Sequence, residues 1–344
     1  MHPDTMRLID RWVGIPLCFF ASFWPLKKAQ ADSNSTLATN IPPPDTIVFI
    51  LIAEIGALVV AYPAIKETRK QHPKSRICFI TAPAGLQTLE LMGFEKEDIF
   101  LLETSSIKSL LKGIVNIRSH FNGKRVSAIV LEPFTRFSTL LSAWIGASKR
   151  IGCYRFLNEG VYLGNILTHR LVYNPYLHMS QTYFALAKAL IEPDSAKPLL
   201  KEYIPSQIKS HLKINIPEKE RQTLMKRLQS ECPENPLKKI ILLNANTSDI
   251  VPLRKWPLEN FVELGKQLLE NSEFTVVLTG SPEEKDVCVD LALQINPDRT
   301  VNFAGKTTFK ELITLYSISD LLITNDSGPV HFASTTEIPI LALF

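Results

Sequence analysis

An α/β fold with parallel sheets is the class this sequence predicts, and three observations carry the prediction. Short, almost wholly apolar runs recur at Ile47–Ile52, Ile77–Thr81, Ile99–Leu102, Val126–Leu131, Lys239–Asn244 and Phe274–Thr279. Such runs suit strands covered on both faces, whereas a half-solvated strand alternates. Helical patterns lie between them, at Gly56–Lys70, at His178–Ile191, after Trp256-Pro257, from Pro282, and from the capping box Thr308–Glu311 to Ser317. Strand and helix in alternation mean βαβ units. The third observation is a break: Pro193–Pro236 is proline-containing and mixed in charge, with one amphipathic helix at Glu218–Gln229. Two α/β units in tandem predict two facing Rossmann-like domains with a cleft, where ligands sit at strand carboxyl ends. The expected divisions are 1–45, 46–195, a linker over 196–236, and 237–344.

Composition agrees and excludes other classes. The 344 residues allow two domains of ordinary size; 45% are hydrophobic and 21% charged, so the chain is globular. A net charge of +4 favours anionic ligands but does not announce a nucleic-acid binder, and no basic run interleaved with aromatics appears. Cys18, Cys78, Cys153, Cys232 and Cys288 are far apart, odd in number and form no C-x-x-C pair. Reduced, buried thiols are expected, not a zinc site or a disulfide framework. No G-x-G-x-x-G follows the first strand, so a dinucleotide enzyme is not supported.

The first residues are unlike the rest. Arg7 and Arg11 precede the apolar stretch Trp12–Leu26, and Lys27-Lys28 follow. Fifteen mostly apolar residues are too few to span a bilayer, which needs about 20. Tryptophans at Trp12 and Trp24 with basic flanks suit a segment lying in the membrane interface. Ala29-Gln30-Ala31 resembles a signal-peptide cleavage site, but the two preceding lysines argue against it. A helix packed on the body is a third reading. Ala29–Pro44 reads as a linker.

The chemistry concentrates in Thr324–Phe344. Strand-like residues lead in from Asp320 and lead out from Ile338, with a turn and a short helix between. Asp326 and Ser327 suit the cap, Gly328 the turn and Pro329 the first helical position. A helix start at the mouth of a parallel sheet presents free N–H groups to an anion, and His331 can reach the same anion. A capped helix in any α/β protein explains the spacing equally well.

The string D-S-G-P-V-H-F-A-S followed by P-I-L-A-L-F resembles the nucleotide-binding signature of the heptosyltransferases, glycosyltransferase family 9. Arg254–Phe261 is similar to the family's K-x-W-P-x-x-x-[FW] segment, Thr279–Glu284 to its G-x-x-x-E/D turn, and Phe303–Thr307 to its L-A-G-K-T string. Arg136 through Gly152 resembles its arginine, helix and G-A-x-x-R-I-G, so the likeness covers about 46–344. Asp10–Cys18 also resembles leaders of one branch of the family.

The resemblance implies a GT-B architecture, with acceptor in the first domain and nucleotide-sugar in the second. It implies inverting transfer with no required metal and no cofactor. It implies as partners a nucleotide-diphosphate sugar, ADP-heptose foremost, and a lipopolysaccharide-core or similar glycolipid acceptor. The expected place is cytoplasmic, peripheral to the inner membrane. For the leaving diphosphate the candidates are Asp326, Ser327, Gly328 and His331, with Thr247 and Ser248 after Leu243, and Arg254 or Lys255 as cation. Arg254 stands where the family's lysine stands and can grip phosphate bidentately; Lys255 reads equally as a surface charge. Glu283 suits the ribose hydroxyls, or simply a helix start. Trp256 reads as core.

The base departs from the pattern. The family carries S-x-G-D-x-x-x-x-x-P after the first strand; here Ala53–Pro63 aligns Ala57 with the aspartate. Alanine takes no proton. Glu54, three residues earlier in the same loop, is the expected base, and Glu132 is the second candidate. The sequence ends at Phe344, where the resemblance implies a further glycine-led loop and helices, so either a truncated reading frame or a chain of reduced stability is expected. Two alternatives remain: a sugar-nucleotide-binding protein of the same fold without catalysis, and a GT-B sugar-nucleotide epimerase.

Overall fold

Val48 through Ile50 are apolar at every position, which leaves their strand no polar face to turn to water. In the computed structural model, which describes residues 3–23, 43–156, 161–193, 204–208, 211–232, 236–246 and 255–344, that strand lies inside a sheet. The chain divides into two compact units, Met1–His211 and Leu212–Phe344.

Unit 1 opens with two helices, α1 (Pro3–Trp12) and α2 (Gly14–Phe23). There follow β1 (Thr46–Ile50), α3 (Ile55–Val60), α4 (Tyr62–Gln71), β2 (Arg76–Thr81), α5 (Leu86–Leu91), β3 (Ile99–Leu101) and α6 (Ile107–Phe121). β4 (Val126–Val130), α7 (Arg136–Trp144), β5 (Lys149–Phe156), β6 (His169–Tyr173) and α8 (Met179–Lys188) complete it. The strands lie in the order β3-β2-β1-β4-β5-β6, and every pairing is parallel. In register, Phe49 stacks on Phe79 at 5.2 Å, and Ile50 faces Val130. One core cluster joins α6 and α7 to the same sheet face through Ile117, Phe121, Leu141 and Ile145.

Unit 2 runs α9 (Glu218–Ser230), β7 (Lys239–Asn244), α10 (Leu258–Glu270), β8 (Phe274–Leu278), α11 (Lys285–Ile295), β9 (Thr300–Asn302), α12 (Phe309–Ile318), β10 (Leu321–Asn325), α13 (Gly328–Ala333) and β11 (Ile340–Leu343). Its sheet is again parallel throughout, in the order β11-β10-β7-β8-β9. Both orders reverse direction at a switch point, between β1 and β4 in unit 1 and between β7 and β10 in unit 2. Ligands of such sheets bind outside the carboxyl ends at that point.

Several expectations change in detail. The helix expected over Gly56–Lys70 is two helices that meet at Ala61, because Pro63 has no N–H to give the carbonyl four residues back. β5 escaped the pattern because basic residues interrupt it. Arg150 is nonetheless buried in this strand, its guanidinium donating to the backbone carbonyl of Ile166 at 2.6 Å. β9 is three residues long and too short to read. The helix opened by Thr308 forms as expected: the Glu311 N–H donates to Thr308 Oγ1, and the Thr308 N–H to the Glu311 carboxylate at 2.8 Å. All five cysteines are buried and free. The linker expected over Ala29–Pro44 falls almost wholly outside the described residues.

Candidate active site

Each switch point assembles its own set of loops. In unit 1 the loops after β1 and β4 meet there, and one side chain joins them. Glu132, just past β4, is buried, and its Oε1 accepts the backbone N–H groups of Ile52 at 2.8 Å and Ala53 at 2.6 Å. Its Oε2 accepts the Ser138 hydroxyl from the first turn of α7. Burial pushes its carboxyl above the usual range, and the nearby Glu54 charge adds to that, while the three hydrogen bonds pull the other way. Glu132, the second candidate for the base, is thus committed to holding the loop that carries Glu54.

Glu54 itself is exposed, at the N-cap position of α3, and makes no capping bond with its side chain. Ala57 is the third residue of the same helix, and its N–H donates to the Glu54 carbonyl at 3.1 Å. Side chains at N-cap and N3 lie side by side, which is the geometry of a capping box. A carboxylate on Glu54 therefore starts beside the place an aspartate at 57 would occupy. Tyr183 of α8 is buried within the field of Glu54 and Glu132, and its hydroxyl is pushed well above its ordinary range, first by burial and then by those charges. Phe134, in the loop after β4, holds φ at 62°, a left-handed conformation rare for a bulky side chain, with its ring edge-on to Tyr173 at 5.4 Å.

In unit 2 three loops converge after β7, β8 and β10. Asn325, the last residue of β10, is fully buried. Its Oδ1 accepts the Trp256 N–H at 3.0 Å, and its amide donates to the Ala245 carbonyl at 2.9 Å. Asn244 donates to the carbonyl of Thr279 at 3.1 Å, and Asn246 lies against Gly280, where a Cβ would sit 3.0 Å from its amide nitrogen. Gly305 closes the row: its N–H donates to the Gly280 carbonyl, its φ is +70°, and a Cβ there would press on the Pro282 backbone at 3.0 Å.

The phosphate-site candidates sit on this edge. Ser327 takes the N-cap position of α13, but its hydroxyl donates to the Asn325 carbonyl at 3.1 Å and caps nothing, which corrects the expected side-chain cap. Gly328 is the first helical residue and Pro329 the second. Gly328 has no left-handed backbone, so it is not there for the turn; a Cβ on it would meet the Phe332 ring at 3.2 Å. Asp326 and His331 are half-buried on either side of the helix start. Lys255 is exposed beside Trp256, and Trp256 packs edge-on to Phe261 at 4.9 Å against the core, as expected. Glu283 is exposed at a helix start, where its own N–H and the Ser281 hydroxyl hold its carboxyl below the usual range. Thr247, Ser248 and Arg254 lie outside the described residues.

A family model described as glycosyltransferase family 9 (heptosyltransferase) matches residues 128–344, well over half of the chain. The chain belongs to glycosyltransferase family 9. Salmonella typhimurium Lipopolysaccharide heptosyltransferase 2 is 31% identical over 96 residues, 27% of each chain. Haemophilus influenzae Lipooligosaccharide heptosyltransferase 2 is 30% identical over 178 residues, 49% of this chain and 47% of that one. The similarity therefore spans between a quarter and a half of these curated relatives. The structure of E. coli ADP-heptose lps heptosyltransferase II superposes with a TM-score of 0.64 at 19% identity, covering 86% of this chain and 84% of that one. The GT-B fold expected from the sequence is thus the fold of this family 9 chain.

Family membership sharpens what the sequence missed. Asn244, Asn246 and Asn325 were available as a signal, since each is an amide at or just past the end of an apolar strand. Glu132 was a candidate only as a base; its bracing of the Glu54 loop, and Tyr183 near it, gave no signal, because their meeting needs β4 and α8 brought to one edge.

Proposed function

We propose that this chain is an inverting glycosyltransferase. It moves a heptose-like sugar from a nucleotide-diphosphate donor, ADP-heptose, to a glycolipid acceptor of lipopolysaccharide-core type. It works in the cytoplasm, in peripheral contact with the inner membrane. Family 9 membership carries the reading, supported by the D-S-G-P-V-H string at the switch point of unit 2.

In this reading the acceptor hydroxyl oxygen attacks the anomeric carbon and Glu54 takes its proton. The bond from that carbon to the donor's phosphate oxygen breaks, and the nucleoside diphosphate leaves with the electron pair. Arg254 or Lys255, His331, Thr247, Ser248 and the N–H groups at Ser327 and Gly328 meet its growing charge, with Asp326 setting the turn. Glu283 takes the ribose hydroxyls. Glu132 holds the Glu54 loop through two backbone N–H groups.

Glu54→Gln tests the base. Turnover with ADP-heptose and a solubilised core glycolipid should fall about 10²–10⁴-fold. The rise in melting temperature with donor should remain. Unchanged turnover would remove Glu54 from the mechanism. Ala57 favours a second reading, a sugar-nucleotide-binding protein without catalysis. That reading stands if the unaltered chain is stabilised by donor yet transfers nothing.

A further inference from the structure

α2 packs the wrong way round for a helix in water. Its buried residues are the small Gly14 and Cys18, while Phe19, Phe20 and Phe23 are exposed, Phe23 at 74%. The small residues let the helix lie close to the body. A Cβ on Gly14 would come within 2.9 Å of Arg136, and one on Gly164 within 2.6 Å of the Cys18 carbonyl. Ser22 completes the contact by accepting the Asn165 N–H at 2.9 Å. The attachment is specific: Arg136, buried at the start of α7, pairs with Asp10 of α1 at 2.9 Å, and Asp10 also accepts the Phe137 N–H. A helix so firmly seated, with its largest apolar groups turned outward, is built to meet a second apolar phase.

A second helix of unit 1 repeats the pattern. α6 turns Ile117 and Phe121 to the core, yet a second stripe at i, i+4 and i+8, Ile107, Leu111 and Val115, stays more than half exposed on its flank. Arg118, three residues past Val115, lies over the Trp144 ring of α7 at 5.2 Å, so this stripe adjoins an exposed tryptophan. α6 and α7 share one face of the sheet, and α2 lies on α7. α2, α6 and α7 contain no acidic residue, whereas α6 carries Lys108, Lys112 and Arg118. Among the described residues no helix is long and apolar enough to cross a membrane.

We propose that the face of unit 1 formed by α2, α6 and Trp144 docks on an anionic phospholipid surface, with phenylalanines and the α6 stripe entering the acyl boundary and Lys108 and Lys112 meeting the headgroups. A protein partner of this area would require about one hydrogen bond per 100–200 Å², and the outward side of α2 offers aromatic and aliphatic groups in their place. A bilayer needs no such pattern, and basic residues beside an apolar stripe match anionic lipid. The inference deepens the glycolipid-acceptor reading and rests on it for its purpose: α7 begins four residues after Glu132, and Gly14 of α2 packs on its first residue, Arg136, so the α2 end of the docked face borders the carboxyl edge that carries Glu54.

Flotation of the full chain with phosphatidylethanolamine–phosphatidylglycerol vesicles tests this, with phosphatidylcholine vesicles beside them. The unaltered chain should float with the anionic vesicles and release at about 1 M salt more than at about 0.1 M. Phe20→Ser with Phe23→Ser, and separately Leu111→Ser with Val115→Ser, should each weaken partition about tenfold or more without lowering the melting temperature. Lys108→Glu with Lys112→Glu should cut binding to the anionic vesicles alone. Absence of flotation, or flotation indifferent to both apolar pairs, overturns the proposal. So does a concentration-dependent dimer in light scattering that the same substitutions abolish, since a second copy would then cover the face. Transfer to a detergent-dispersed acceptor without vesicle binding sinks this inference and leaves the enzymatic reading standing. Substitution-sensitive vesicle binding in a chain that no ADP-sugar stabilises does the reverse.

Discussion

At the switch point of unit 1 the loops are held by a carboxylate; at that of unit 2 they are held by amides. Glu132 gathers Ile52, Ala53 and Ser138 with one buried acid. Asn325 and Asn244 do the equivalent work after β7, β8 and β10 without a charge. The two sheets have the same winding, so the contrast comes from chemistry, not topology. A buried acid beside a second carboxylate raises the affinity of that edge for a proton. An edge proposed to hold a diphosphate is better laced by neutral groups, because a buried negative charge would repel the ligand.

The largest expected effect breaks the neutral side. Asn325→Leu keeps the branched shape but strands the Trp256 N–H and the Ala245 carbonyl, each worth about 1–3 kcal/mol when left unpaired in the interior. Denaturant unfolding should show a loss of about 2–4 kcal/mol, and the donor-dependent rise in melting temperature should shrink with it. A loss below about 0.5 kcal/mol would mean that Asn325 does not lace these loops.

Glu132→Gln probes the acidic side, at about 1–2 kcal/mol. The amide can still accept from Ile52 and Ala53, but its NH₂ group replaces the acceptor of the Ser138 hydroxyl. The pH dependence is the sharper readout. The folded-state pKa of Glu132 is raised, so its stabilising contribution is full below the unfolded value of about 4.3 and is lost as pH rises through the folded value. The variant should lose that decline, and the gap between the two proteins should narrow from pH 4 upward.

The smallest effect reverses the sign in unit 2. The Thr308 N–H, and then the Arg227 guanidinium at 2.7 Å and the Thr308 hydroxyl, hold the Glu311 carboxyl below its usual range. Its contribution is present above about pH 4.3 and lost as pH falls through the lowered value. Thr308→Ala should cost about 1 kcal/mol near neutral pH and less in acid, measured by denaturant unfolding. Equal pH slopes in these two variants would erase the contrast between the units.

The strands at the centre of each sheet were legible because a doubly covered strand has no polar face, and Ile47–Ile52 and Lys239–Asn244 read so directly. The capping box at Thr308–Glu311 was legible because both partners lie within four residues. β5 was not, since Arg150 looks solvated until the Ile166 carbonyl is seen to receive its guanidinium. Ser327 was placed correctly and given the wrong bond, because the competing acceptor, the Asn325 carbonyl, becomes available only once β10 ends where it does.

By itself the sequence determined the fold class, the family and the candidate loops, because strand period, helix signals and contiguous motifs are local properties of the chain. Tertiary structure alone decided that Glu132 supports Glu54, that asparagines lace the second edge, and that α2 turns its phenylalanines outward. Each of those depends on residues tens of positions apart arriving at one place. Burial and hydrogen-bond pairing are set there, and no local pattern encodes them.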